Sequence, residues 1–127
     1  MTTKSYSPER FRELVREFAE KEDTIFVWKA GEYSTDGDRL QNFREIAEFL
    51  GKKPLEIALA YLLKHVQSIA LAARTGKYAW TWAWETEGGE GLKQRIVDAR
   101  NYLLLLAACI DEEVEEGAVS DHEKVKE

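Results

Sequence analysis

Asp98 and Asn101 stand one turn apart in a stretch, IVDARNYLLLLAACI from Ile96 to Ile110, that is otherwise apolar almost all the way round. At about 100° per residue, Ile96, Leu103, Leu106 and Ile110 mark one face of a helix, and Asp98, Asn101, Leu105 and Ala108 mark the opposite one. Neither reads as a solvent face. A carboxylate and an amide enclosed by apolar neighbours need a cation, a metal ion or a set of donors. A matching group lies upstream in PLEIALAYLLKHVQSIALAART, where Tyr61, Lys64, His65 and Ser68 fall within roughly a quarter of a helical circumference. If these two helices pack antiparallel, Lys64 neutralises Asp98, and His65, Ser68 and Asn101 complete a hydrogen-bonded network. The same residues admit two readings: a buried ion pair that fixes helix register, or a ligand site.

The stretch GEYSTDGDRLQNF gathers Glu32, Tyr33, Asp36, Asp38, Arg39 and Asn42 before and within another helix start. Free backbone N–H groups at such a start attract anions, and Arg39 adds to that attraction. Asp36 and Asp38 are instead the ligand type of a hard cation, or an Asp-rich turn and N-cap. Asp36-x-Asp38 opens like a calcium loop, but the downstream acidic ligand is missing. Glu45 and Glu48 form an E-x-x-E pair pointing away from Phe43, Ile46, Ala47 and Leu50, which makes them solvated surface. There is no zinc-type Cys/His spacing, no phosphate-binding glycine loop and no G-x-S-x-G elbow. Cys109, the one cysteine, sits in an apolar helix and reads as a packed, inert thiol.

Four helices position these residues. The first starts with Ser7 as N-cap and Pro8 at N1, carries Phe11, Leu14, Val15 and Phe18, and ends near Lys21. Thr24 to Trp28 (TIFVW) fits a strand, an extended arm or a further helical turn, and Gly31 to Gly37 has the composition of a loop. The second helix has core positions Leu40, Phe43, Ile46, Ala47 and Leu50, with Gly51 as its stop. The third begins at Pro54 and ends near Gly76, and the fourth runs from about Gly91 to Glu116. Between them Tyr78, Trp80, Trp82 and Trp84 share one side of an extended strand, or Trp80 pairs with Trp84 if the helix continues. The expected fold is all-α: a four-helix bundle with a short aromatic-rich excursion between helices three and four.

A chain of 127 residues fits a single domain, placed at 1–117, with 118–127 as a charged tail. The net charge of −6 disfavours nonspecific nucleic-acid or anionic-membrane binding. No apolar run of about 20 residues and no signal-peptide h-region is read in the sequence, so a soluble, cytoplasmic protein is expected. Two helices apolar on most faces exceed what one small bundle can cover, and the tryptophans add more, so a homo-oligomer is expected.

The succession EYSTDGDRLQNFREIAEFLG, LLKHVQSI and RIVDARNYLLLL resembles small phage and prophage proteins related to the MazG-like all-α nucleoside triphosphate pyrophosphatases and to nucleotide-modification-associated helical domains. The resemblance runs from about Gly31 to Glu113, and its matching positions are Tyr33, Asn42 with Phe43, Lys64, and Asp98 with Asn101 and Tyr102. Asn101 stands where that group places an acidic residue. The resemblance implies a nucleotide or phosphorylated small molecule bound between helices. Tyr33, Arg39, Asn42, Tyr61, Lys64, His65, Ser68, Asn101 and Tyr102 would form its site. In the enzymatic version a Mg2+ or Mn2+ ion held by Asp98, with Asp36 or Asp38, polarises a phosphoryl oxygen. The alternative is a non-enzymatic phage module that inhibits a host protein or sequesters a signalling nucleotide, suited by an acidic surface and exposed aromatics.

Overall fold

The computed structural model describes residues 4–33, 37–85 and 91–117, with the side chains of all of these but 25–33. It is all-α, with helices α1 (Pro8–Tyr33), α2 (Gln41–Leu50), α3 (Pro54–Thr75) and α4 (Leu92–Glu115), plus one 3-10 turn at Ala83–Glu85. Helices α3 and α4 pack closely along each other; α2 lies on α3, and α1 touches α4 more sparsely.

Local chemistry explains most of the boundaries. Ser7 Oγ accepts the Arg10 N–H at 3.1 Å, so Ser7 caps α1 with Pro8 at its first position. Gly51 and Gly76 stop α2 and α3 in the left-handed conformation, at φ 66° and 67°, where a Cβ would be strained. Pro54 opens α3, and Glu56 Oε2 reaches back to accept the Lys53 N–H at 3.1 Å.

Four expectations need correction. First, α1 does not stop near Lys21 but continues through Thr24–Trp28 and Gly31 to Tyr33. No proline interrupts this span, and the β-branched Thr24, Ile25 and Val27 each cost only a few tenths of a kcal/mol in a helix. Second, Leu50 is exposed, because α2 ends there and turns its last residue outward. Third, the tryptophan stretch is neither a strand nor a continued helix: Trp82 is buried while Tyr78, Trp80 and Trp84 stay exposed. Fourth, α3 is by length and composition apolar enough to cross a membrane. Within the chain one side of it packs α4 and α2, and 22% of its most apolar stretch is buried. The charged tail expected at 118–127 lies outside the described residues.

Two cores result. The larger gathers Leu40, Phe43, Ala47, Ile57, Ala58, Leu62, Ala99, Tyr102, Leu105 and Cys109 between α2, α3 and α4. The smaller holds Phe18 of α1, Trp82 and Val97 of α4, with Leu14 and Ile96 against them.

Candidate functional site

The seam between α3 and α4 collects most of the polar residues singled out in the sequence. Tyr61 and His65 are one turn apart on α3, and Tyr102 of α4 stacks on both, with ring centroids 5.6 Å from Tyr61 and 5.0 Å from His65. Phe43 of α2 closes the cluster, 5.9 Å from Tyr61 and 6.2 Å from Tyr102. Such tilted and offset ring pairs add to the burial of their apolar area. One turn before Tyr102 lies Asp98, only 5% exposed, with Asn101 at 3%. The expectation of an enclosed carboxylate holds on that face of α4, whereas the face with Leu103 and Ile110 is exposed.

The expected Lys64–Asp98 pair does not form. Lys64 remains exposed, and among the described residues no ion pair joins it to Asp98. Gln94, one turn earlier on the same helix and itself buried, donates from Nε2 to Asp98 Oδ1 at 3.2 Å. A neutral donor inside the helix thus does part of what a cation was expected to do. Its signal was available, since Gln94 and Asp98 are spaced i, i+4. Lys64 instead lines an open cleft of about 350 Å³ with Gln67, Ser68, Leu71 and Arg74. The polar stripe on α3 is therefore split: Tyr61 and His65 turn toward the aromatic seam, and Lys64 toward water.

The proposed metal set is also divided. Asp38 Oδ1 accepts the Leu40 N–H at 3.0 Å, and its Oδ2 takes Arg44 Nε at 2.9 Å. Arg44 in turn forks onto Glu112, donating from Nη1 to Oε1 at 2.6 Å and from Nη2 to Oε2 at 2.5 Å. These pairs hold the Asp38 and Glu112 carboxyls below their usual range and push the Arg44 guanidinium up. Glu112 is fourteen residues beyond Asp98, about 21 Å along α4, so Asp38 and Asp98 do not share an ion within this chain. Among the described residues no group of three or more acidic, His or Cys side chains is placed to hold a metal ion. Asp36 lies outside the described residues, as does the side chain of Tyr33, whose backbone ends α1.

Arg39 is exposed beside the start of α2, and Asn42 is half-buried next to Phe43. Glu45 and Glu48 are exposed, as read from their spacing, and Glu45 accepts from Gln41 of its own helix at 3.1 Å. Burial pushes the Cys109 thiol up, away from the reactive thiolate. The sequence reading missed Arg44 and Glu112; a pair 68 residues apart leaves no local periodicity to find it by.

No family model, curated protein or solved structure matches this chain.

Proposed function

We propose that the chain binds a nucleotide or another phosphorylated small molecule at the α3–α4 seam. The supporting observation is the convergence of a buried carboxylate and amide, Asp98 and Asn101, with the stacked Tyr61, His65 and Tyr102, beside a cleft that carries Lys64 and Ser68. Aromatic rings in contact with a polar, partly enclosed wall are suited to a base or another flat ring. Lys64, Gln67 and Ser68 offer a cation, an amide and a hydroxyl for phosphate oxygens. Arg74 is ten residues from Lys64, about 15 Å along the axis, and lies beyond the reach of one phosphate centred on Lys64.

Pyrophosphohydrolysis of the MazG-like kind is the sharpest enzymatic form of this reading. Asp98 would supply one oxygen ligand to a Mg2+ or Mn2+ ion, and an ion carried in on the triphosphate would complete its shell with phosphate oxygens and water. Bound there, it would polarise a phosphoryl oxygen for attack by water. The residues of this chain have simpler tasks: the rings orient the base, Lys64 neutralises phosphate charge, and the buried face of α4 excludes solvent.

A panel of nucleoside mono-, di- and triphosphates, with and without magnesium or manganese, tests the reading by thermal shift. At about 100 times its dissociation constant a ligand adds roughly 2.7 kcal/mol to native stability. Lys64→Ala should remove the shift and leave the apo melting temperature nearly unchanged, because Lys64 is exposed. Absence of any shift across the panel would leave the protein-binding module as the surviving reading, favoured by the exposed apolar residues of α3 and α4.

A further inference from the structure

One exposed face of α3 is apolar from end to end. Leu59, Leu63, Val66, Ala70 and Ala73 fall within about 80° of one another on the helix. Leu59, Leu63 and Val66 are 40%, 56% and 46% exposed, and the two alanines are exposed as well. The stripe is graded: its large residues lie in the N-terminal half and its small ones in the C-terminal half, with Val66 at the midpoint. Charge is graded in the same direction. Glu56 and Arg74, both exposed, are eighteen residues apart, which is five full helical turns, so they lie in line along one flank of the stripe.

We infer that α3 pairs antiparallel with α3 of a second copy of this chain, about a two-fold axis at Val66. A two-fold operator sends residue i to residue 132 − i of the partner, the sum set by placing Val66 opposite itself. Leu59 then meets Ala73 of the other copy, and Leu63 packs next to its Ala70, so each large side chain faces a small one. The same operator brings equal flanks together. Glu56 of each copy lies opposite position 76, two residues and about 3 Å from Arg74 of the other, within reach of both long side chains. A parallel pair would set leucine on leucine, leave a gap at the alanines and carry the charged flanks of the two copies to opposite sides, with no Glu56–Arg74 pair between them. Size and charge both select a second copy, in the antiparallel sense. The apolar stripe is distinct from the aromatic seam, since Tyr61 and His65 point to α4, and it meets the Lys64 cleft only at Arg74.

Sedimentation or light scattering at micromolar concentration should give twice the chain mass. Val66→Asp opposes two carboxylates at the axis and should give a monomer with unchanged helical circular dichroism, because Val66 is 46% exposed and belongs to neither core. Arg74→Glu should weaken the dimer about tenfold or more by setting like charges against each other. Glu56→Arg with Arg74→Glu should restore it, even though Glu56 also caps its own helix. A monomer mass for the native chain, or a dimer unaffected by Val66→Asp, overturns the inference. A dimer lost in Val66→Asp and weakened in Arg74→Glu but not restored by the double exchange overturns the antiparallel register. Co-flotation of a monomer with phosphatidylcholine–phosphatidylglycerol vesicles would assign the stripe to a lipid surface instead. Nucleotide thermal shifts on the Val66→Asp monomer read the ligand site independently, so either proposal can fail alone.

Discussion

The core between α2, α3 and α4 closes over ten buried residues, while the one under α1 rests on Phe18, Trp82 and Val97. The first is built by interdigitation of helices that are neighbours in the chain. The second is built by a single loop tryptophan that plugs the gap between α1 and α4 and meets Phe18 in a tilted ring pair at 5.0 Å. Polar contacts follow the same division. Trp82 Nε1 and Lys93 Nζ both donate to Glu17 Oε2, at 2.9 and 2.7 Å, and Arg100 Nε lies 2.8 Å from Glu22 Oε2, so α1 is held largely by groups at the rim. Regions with few buried apolar contacts open locally before the whole domain unfolds. The α3–α4 seam is thus the rigid part that can hold a site, and α1 is the detachable one.

Removing the central ring from each core breaks this comparison most directly. Phe43→Ala should cost about 3–5 kcal/mol, because Phe43 is among the most deeply buried side chains and touches both Tyr61 and Tyr102. It should lower the protection of α2, α3 and α4 together in hydrogen exchange. Trp82→Ala deletes a side chain of similar burial, yet the loss of protection should stay confined to α1 and the 77–85 segment. Global unfolding in both variants would show that the two cores form one cooperative unit.

A smaller effect sharpens the seam itself. Asp98→Ala strands the buried Gln94 amide and should cost about 1–3 kcal/mol, whereas Glu45→Ala, on the exposed face of α2, should stay within about 0.5 kcal/mol. Chemical denaturation of both variants decides this. Equal shifts would place Asp98 among ordinary surface carboxylates and remove the basis for a polar seam.

The residues that signalled themselves in sequence are those whose partners lie within a few turns or whose environment is set by helical periodicity. Ser7 with Pro8, Pro54, Gly51 and Gly76 announced helix ends through capping and backbone chemistry, and the structure has them there. Asp98 and Asn101 announced their burial through the apolar residues around them. What stayed hidden depended on tertiary packing. Trp82 and Trp80 occupy alternate positions of one segment, yet Trp82 enters the core with Phe18 and Val97, while Trp80, its ring 6.3 Å from that of Phe18, stays 46% exposed. Val15 and Phe11 have helical spacing with Phe18, but α4 covers too little of α1 to bury them, and both line an open apolar cleft of about 200 Å³. Lys64 shared an arc with His65, and a rotation of one residue put the two on opposite sides of the boundary between core and water.

The ion pairs that tie α2 and α1 to α4 give the smallest effects and separate the two regions by pH. Arg44 bridges Asp38 and Glu112 at one end of α4, and Lys93 holds Glu17 near the other. Hydrogen bonds from Arg44 lower the Asp38 and Glu112 carboxyls, and those from Lys93 and Trp82 lower Glu17. A carboxyl lowered in the folded state contributes stability that is fully present above its unfolded value, 4.5 for the glutamates and 3.8 for Asp38, and fades as pH falls through the folded value. All three acids retain substantial solvent contact, so each pair is worth only about 0–1 kcal/mol. Arg44→Met should therefore lower the urea midpoint slightly at pH 7 and flatten its decline toward acid. Glu17→Gln should leave global unfolding at pH 7 almost unmoved and instead abolish the acid-dependent part of α1 release, read as exchange protection between neutral pH and pH values below the glutamate range. If α1 release in Glu17→Gln keeps the pH dependence of the native chain, the Glu17–Lys93 contact does not anchor α1, and the Trp82 core with the Arg100–Glu22 pair holds it down.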